Sequence, residues 1–345
     1  MRVLILGVNG FIGSHLSDAI LKQTDWEIDS MDLSQDKLQS IITHSRFHFQ
    51  RGDIMRDIDW IDAHIKQCDV LLPLVAIATP ALYVSDPLRV FELDFEANLK
   101  MIRLCVQYQK RVIFPSTSEV YGMSPDVPFD EEDSVLTTGP IHKERWIYSS
   151  SKQLLDRLIY AYGHHQGLKY TLFRPFNWYG PRLDNPLNPK RGGSRVLTQF
   201  VGNILRGENI QLVNGGAQSR SFTYIDDGIS ALLKIIENKN QAAEGRIFNI
   251  GNPKAELSIR QLAEMIQRMI MMHYPAYAEK ARLTQLLSID AKEYFGEGYQ
   301  DVSKRVPDIH RAIQYLNWHP AIDIETGLRK TLDYYLDAKQ TVTAS

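Results

Sequence analysis

Apolar residues along this chain follow two alternating rhythms. Short unbroken runs, "RVLILG" (2–7), "DVLLPLVA" (69–76) and "RVIFPST" (111–117), have the continuous hydrophobicity of strands buried on both faces. Between them, "FIGSHLSDAILKQ" (11–23) and "PLRVFELDFEANLKMIRLCVQYQK" (87–110) carry apolar positions at helical spacing, the second opened by a proline. "WEIDSMD" (26–32) and "FHFQ" (47–50) are two further strand candidates. Strands alternating with helices predict an α/β chain with a doubly wound parallel sheet. After residue 170 the rhythm loosens. "YTLFRPFNWYGPR" (170–182) reads as a strand leaving the sheet through a proline-interrupted segment, and 184–194 as a loop. Further on, 195–206 reads as a helix, 210–215, 220–227 and 246–252 as strands, and 258–273 and 326–338 as helices.

At 345 residues the chain exceeds what one core comfortably serves. Its 44% hydrophobic and 23% charged residues are those of an ordinary globular protein, and a net charge of −2 offers no footprint for nucleic acid or an anionic membrane. The weakly charged stretch 70–84 is interrupted by Pro73 and Pro80, and falls short of the roughly 20 residues a bilayer span needs. No cleavable leader is visible, and Cys68 and Cys105 sit in apolar segments as expected of free thiols in a reducing cytoplasm. The ten histidines form no ligand-spaced cluster, so no metal is expected.

Chemistry enters with "GVNGFIG". Gly7, Gly10 and Gly13 are spaced three apart between the first strand and the first helix. Glycines there allow a tight turn and close approach to a pyrophosphate, and the helix N-terminus offers free N–H groups. The spacing is G-x-x-G-x-x-G, so position rather than pattern carries the reading: a Rossmann-type sheet. Asp32 ends the second strand 19 residues after Gly13, where a carboxylate binds ribose hydroxyls and repels a 2′-phosphate, which favours NAD over NADP. Asp53, in "GDI", either approaches the adenine or serves only as a turn residue. The change of rhythm near 178 predicts an NAD-binding domain over 1–178 and a smaller α/β substrate lobe over 179–345. A segment of about 220–252 returns to the first domain, because "RIFNIG" again reads as a buried strand.

"RWIYSSSKQLLDRLIYAY" (145–162) is an amphipathic helix on which Tyr148 and Lys152, four apart, share a face. A phenol with a pKa of about 10 is a poor base at neutral pH. A neighbouring ammonium and a positive nicotinamide stabilise its phenolate. With Thr117 at a strand end, the pair forms a set that can deprotonate a substrate hydroxyl while hydride leaves its carbon.

Here the chain resembles the extended short-chain dehydrogenases/reductases, the NAD-dependent epimerase/dehydratase family, that act on nucleotide sugars. Within them it is similar to the UDP-glucuronate decarboxylases, most of all to the decarboxylase domains of the bacterial aminoarabinose pathway. "RVLILGVNGFIG", "LPLVAIATP", "PLRVFELDFE", "FPSTSEVYG", "RWIYSSSKQLLDR", "LFRPFNWYGPRLDN" and "GEGYQDVSKR" carry the resemblance across about residues 1–337. It implies that Phe11, Ile12, Ile54 and Ala76 join the glycines, Asp32, Asp53, Tyr148 and Lys152 around NAD. It implies that Ala78, Tyr83, Asn177, Arg195, Arg220 and Tyr299 hold the UDP-sugar, Asn177 at the diphosphate or the sugar.

The resemblance also bears on "TSE" (117–119). The 4,6-dehydratases carry an Asp-Glu pair after the strand-end Thr or Ser. Here Ser118 stands in place of that Asp, and a serine is a poor general acid. A glutamate without its Asp suits decarboxylation. Oxidation at C4 of a glucuronate creates a β-keto acid whose carboxylate leaves readily, and Ser118, Glu119 and Arg305 are implied to hold the carboxylate and protonate C5. Lys304 leaves a one-residue ambiguity beside Arg305. Gln211 stands where the resembled enzymes carry a lysine near the uridine, and the chain opens directly on its first strand, as a free-standing decarboxylase would. The product, UDP-4-keto-pentose or re-reduced UDP-xylose, stays open. The rivals are a nucleotide-sugar 4-epimerase or dehydratase on the same scaffold and a non-catalytic NAD(H)-binding regulator. The resemblance implies a homodimer built on two helices per subunit. The apolar stripes on 87–108 and 145–162 suit that role and suit plain core helices equally.

Overall fold

The structure, a computed structural model, describes residues 1–188 and 194–337. Seven strands form the central sheet: β1 (Arg2–Leu6), β2 (Glu27–Asp32), β3 (Phe47–Arg51), β4 (Val70–Pro73), β5 (Arg111–Pro115), β6 (Tyr170–Pro175) and the late strand Arg246–Ile250. From one edge to the other the order is Arg246–Ile250, β6, β5, β4, β1, β2, β3, and every pairing is parallel. The winding reverses between β1 and β4, which opens a crevice at the carboxyl ends of those strands.

The unbroken apolar run of β1 follows from burial on both faces. Val3 and Ile5 pack into one core with Leu16 and Ile20 of helix α1 (Phe11–Gln23) and Leu232 of helix Ile225–Glu237. Leu4 and Leu6 face the other way, onto Met101, Ile102 and Leu155.

Beyond the sheet, short strands frame a second region. Trp178–Tyr179 pairs with Thr223–Tyr224, and Ile210–Val213 with Leu286–Ile289. Ser219–Ser221 lies between Glu256–Ser258 and Lys304–Arg305, which puts Arg305 in register with Arg220. The strand expected over 220–227 stops at Tyr224, because Asp226 and Asp227 begin a helix whose N-terminal end favours their charge. Helices Pro275–Leu283 and His310–Leu316 and strand Leu286–Ile289 have no counterpart in the sequence reading. The helix expected over 326–338 runs Ile324–Leu336; its position 338, and 189–193 of the loop 184–194, lie outside the described residues.

The helix expected as continuous over 87–110 is instead Pro87–Phe91 and Asn98–Gln107 joined by a π-helical turn, Glu92–Ala97. Asn98 turns its amide inward there, donating to the carbonyls of Leu93 (3.0 Å) and Val75 (3.3 Å). Cys68 and Cys105 are buried free thiols. Among the described residues no helix is long and apolar enough to cross a membrane.

Candidate active site

The turn from β1 to α1 is built for a close neighbour. Gly7 adopts φ +84°, and a Cβ on it would come within 2.9 Å of Leu74 and Val75. A Cβ on Gly13 would sit 2.7 Å from the backbone of Gly7 and Val8. No side chain caps the first N–H groups of α1, which leaves them for an anion. Phe11 is buried and Ile12 half-buried in the first turn. Asp32, at the end of β2, accepts from the N–H groups of Asn9 (2.8 Å) and Leu33 (2.7 Å). Burial raises its carboxyl and those N–H donors work against the rise. The Gly52 N–H donates to the Asp32 carbonyl at 3.0 Å, so the loop with Asp53 and Ile54 lies beside it. Asp53 there accepts from Met55 N–H (2.9 Å), the turn role, and Ile54 packs with Met31 and Ile61. Uncapped amides, a glycine cradle and a ribose-side carboxylate fit a dinucleotide.

The second cluster joins the end of β5 to helix Trp146–Gln166. Tyr148 and Lys152 are buried on one face of that helix. The Lys152 ammonium donates to the Pro115 carbonyl at 3.0 Å and lies 4.7 Å above the Phe114 ring. Thr117 accepts from Glu119 N–H (3.2 Å), and its hydroxyl is within hydrogen-bonding reach of the Tyr148 phenol. Tyr83 stacks on Tyr148 with ring centroids 4.6 Å apart. The chain's own groups hold the Tyr148 phenol above its ordinary value: burial first, then the Asp94 charge, with Thr117 opposing.

A cavity of about 220 Å³ reaches Glu119, two residues from Thr117, while Thr117, Tyr83, Tyr148 and Lys152 are not among its lining residues. Glu119, Asn177, Arg195, Arg220, Tyr299 and Arg305 line it, as does Gln211, so the structure gathers these sequence-derived candidates around one space. At its inner end Glu119 is clamped. Arg305 donates to Glu119 Oε1 at 2.5 Å and Arg145 donates to Oε2. Burial alone would raise the Glu119 carboxyl, but the two guanidiniums outweigh it and hold it at about 2. The carboxylate is therefore ionised at any working pH.

Two of the cations expected to hold the UDP-sugar are engaged by the chain itself. Arg220 donates to Asp301 (2.7 Å) and the Val302 carbonyl (2.8 Å). Arg195 is paired with Asp184 (2.8 Å) and lies 5.6 Å from the Phe11 ring centroid. The Asn177 amide donates to the Ser221 carbonyl (3.1 Å). Ser118 is buried in the turn Ser118–Tyr121, while Ala76 and Ala78 lie in the loop after β4, outside the cavity lining. Lys304 pairs with Glu256 at 3.2 Å, and Arg305, not Lys304, lines the cavity. Arg145 escaped the sequence reading. Its signal was a cation at the first turn of a helix, where the dipole disfavours it, three residues before Tyr148. It is 1% exposed. Among the described residues Asp130, Asp308 and His310 converge away from the cavity, a group of metal-ligating types that the linear spacing of histidines does not reveal.

Residues 3–251 match the model of the NAD dependent epimerase/dehydratase family. The chain belongs to that family. NAD is accordingly its cofactor. The PbgP3 protein from Burkholderia pseudomallei is 53% identical, covering 97% of this chain and 96% of that one, with a TM-score of 0.88. The fold is also that of a UDP-glucuronic acid 4-epimerase from Bacillus cereus, solved with UDP-glucuronic acid and NAD (23% identity, 97% and 99% coverage, TM-score 0.80). A dTDP-glucose 4,6-dehydratase from Bacillus anthracis, solved with NAD, shares it too (21% identity, 97% and 96% coverage, TM-score 0.77).

Proposed function

We propose that this family member is a UDP-glucuronate decarboxylase that oxidises C4 of the sugar and then releases CO2. One observation carries the reading: at the inner end of the cavity, two buried guanidiniums, Arg145 and Arg305, already hold a carboxylate, that of Glu119. A substrate carboxylate of the same charge and shape fits the same fork.

In this mechanism Tyr148, oriented by Thr117, takes the proton of the sugar 4-hydroxyl. Bound NAD supplies a hydride acceptor and a positive ring that favours the phenolate. The resulting C4 ketone lies β to the carboxylate, so the C5–carboxylate bond breaks with its electron pair flowing into the ketone. Arg305 and Arg145 hold the carboxylate and let neutral CO2 go. C5 then takes a proton. Glu119 cannot give one while both arginines hold it. Once the substrate carboxylate draws a guanidinium away, its pKa rises and it becomes a proton-holding group beside C5. Asn177, Arg195, Arg220 and Tyr299 bind the nucleotide part, the two arginines after exchanging Asp184 and Asp301 for phosphate.

The same reading includes a homodimer. Leu88 (73% exposed), Leu154 (46%) and Tyr160 (57%) leave apolar surface on the two helices expected at such an interface.

Incubation with UDP-glucuronate and NAD+ tests the proposal. CO2 and either a UDP-pentose or a UDP-4-keto-pentose with NADH are expected. Formation of UDP-galacturonate without CO2 would replace the reading with a 4-epimerase, and turnover of UDP-glucose in preference would refute the carboxylate fork.

A further inference from the structure

We propose that Arg174 is a positioning residue for the reaction: its buried guanidinium fixes the turn that carries Thr117 and Glu119 against the helix that carries Tyr148 and Lys152. This rests on the functional reading of those four residues given above.

Arg174 is buried on β6, between β5 on one side and strand Arg246–Ile250 on the other. Its Nη2 donates to Asp156 Oδ2 at 3.2 Å, and the Ser116 hydroxyl donates to the same oxygen at 2.7 Å. Asp156 stands on helix Trp146–Gln166, four residues after Lys152 and eight after Tyr148, so the three share a face. Ser116 immediately precedes Thr117. The other arm, Nη1, donates to the Tyr121 phenol at 2.9 Å. Tyr121 closes the turn Ser118–Tyr121, two residues after Glu119. The phenol in turn donates to Asn249 Oδ1 at 2.8 Å, and Asn249 is the register partner of Arg174 on the neighbouring strand. One side chain thus joins the helix, the strand end and the turn. Two further contacts span the same seam: the Lys152 ammonium on the Pro115 carbonyl at 3.0 Å and the Gln153 amide on the Val120 carbonyl at 2.7 Å.

Stability does not account for this arrangement. A buried ion pair gains little over apolar side chains of the same volume. The pair is also incompletely satisfied, since Asp156 Oδ1 and Arg174 Nε are buried with no hydrogen-bond partner among the described residues. What the bonds that are made have in common is where they end: on the segments that bring the reacting side chains together. A network of this kind sets relative position, and a misplacement of about 1 Å at a reacting group costs up to roughly 100-fold in rate.

Tyr121→Phe keeps the ring stacked on Phe129, with centroids 4.5 Å apart, and removes one of the two bonds made by the guanidinium. Ser116→Ala removes the hydroxyl beside Thr117. Neither changes a charge. Each is expected to lower kcat for CO2 release from UDP-glucuronate by about tenfold, counted per NADH-binding site, with KM within about twofold and both limbs of the pH profile in place. Because both act through Arg174 and Asp156, the double variant loses less than the product of the two effects. Arg174→Lys reaches only one of the two partners at a time and loses more than either single variant. A purely structural role lowers the number of NADH-binding sites or the melting temperature and leaves kcat per site at the wild-type value. That outcome, or a double variant that loses the full product, overturns the proposal. A second readout needs no turnover. The Val120 and Gly122 N–H groups are bonded within the turn, to the Thr117 carbonyl at 3.2 Å and the Glu119 carbonyl at 3.0 Å. Their hydrogen exchange is expected to quicken by about tenfold in Tyr121→Phe and in Ser116→Ala, while the amides of β1 exchange at the wild-type rate. Exchange unchanged at the turn, or raised equally in β1, refutes the proposal as well. If wild type fails to turn over UDP-glucuronate, the functional reading falls, and hydrogen exchange alone judges the hold of Arg174 on the turn.

Discussion

Replacing Glu119 with glutamine keeps the shape of the clamp and removes its charge. Glu119 is 14% exposed and lies against Arg145 (1%) and Arg305 (7%), so little solvent screens the three charges. Holding the carboxyl at about 2 rather than its usual 4.5 is worth about 3 kcal/mol, at roughly 1.36 kcal/mol per pH unit. The folded-state pKa lies below the unfolded one. The contribution is thus complete above the unfolded value and is lost as pH falls from about 5 through about 2. Urea unfolding of wild type and Glu119→Gln, followed by tryptophan fluorescence, reads this directly. At pH 7 the variant is less stable by about 3 kcal/mol, and by more if the two guanidiniums repel. At pH 3.5 the gap narrows by about 1 kcal/mol, because part of the wild-type advantage rests on a proton that the unfolded chain has already taken up. A gap that stays constant with pH, or a variant as stable as wild type at pH 7, would show that the arginines do not hold Glu119 ionised. The mechanism built on the fork would fall with it.

Arg145→Ala removes one side of the clamp and is expected to raise KM for UDP-glucuronate by ~10–100-fold, about the worth of one charge-assisted hydrogen bond. NADH affinity, titrated by fluorescence, stays unchanged. Tyr148→Phe keeps the ring stacked on Tyr83 and loses the proton acceptor. NADH formation falls by about 10²–10⁴-fold with no change in melting temperature beyond a degree or two. Gly13→Ala forces a Cβ to within 2.7 Å of the Gly7 and Val8 backbone. It is expected to cost about 1–3 kcal/mol in urea unfolding and to weaken NADH binding at least tenfold.

What could be read in advance was whatever depends on neighbours in sequence. The sheet followed from unbroken apolar runs, because strands covered on both faces tolerate little else. Tyr148 and Lys152 could be paired because four residues make one helical turn, and the glycine turn because its strand and helix adjoin it. The rest is set by contacts between distant segments. The stretch 286–289 becomes a strand only because Ile210–Val213 offers an edge to pair with. The π-turn at Asp94 is held by the Val75 carbonyl and the Ile77 N–H, and helical periodicity carries no trace of it. Arg195 and Arg220, expected to hold the UDP-sugar, line the cavity, yet their ion pairs with Asp184 and Asp301 were invisible, since those acids come from other parts of the chain. Arg145 stood inside a quoted motif. Nothing in its spacing revealed that 26 residues upstream lay the carboxylate it would meet.

On the function proposed above, that meeting explains both selectivity and timing. The fork formed by Arg145 and Arg305 is never without a carboxylate: Glu119 fills it until a substrate carboxylate takes its place. A neutral sugar offers no replacement charge. Displacing Glu119 for UDP-glucose would strand buried guanidiniums at a cost of several kcal/mol, a factor of at least 10² in affinity. A glucuronate exchanges charge for charge. The exchange also releases Glu119 from the field that holds it ionised, so its affinity for a proton rises only when a decarboxylatable group is seated. The acid needed at C5 is thereby produced by the binding of the one substrate class that will need it.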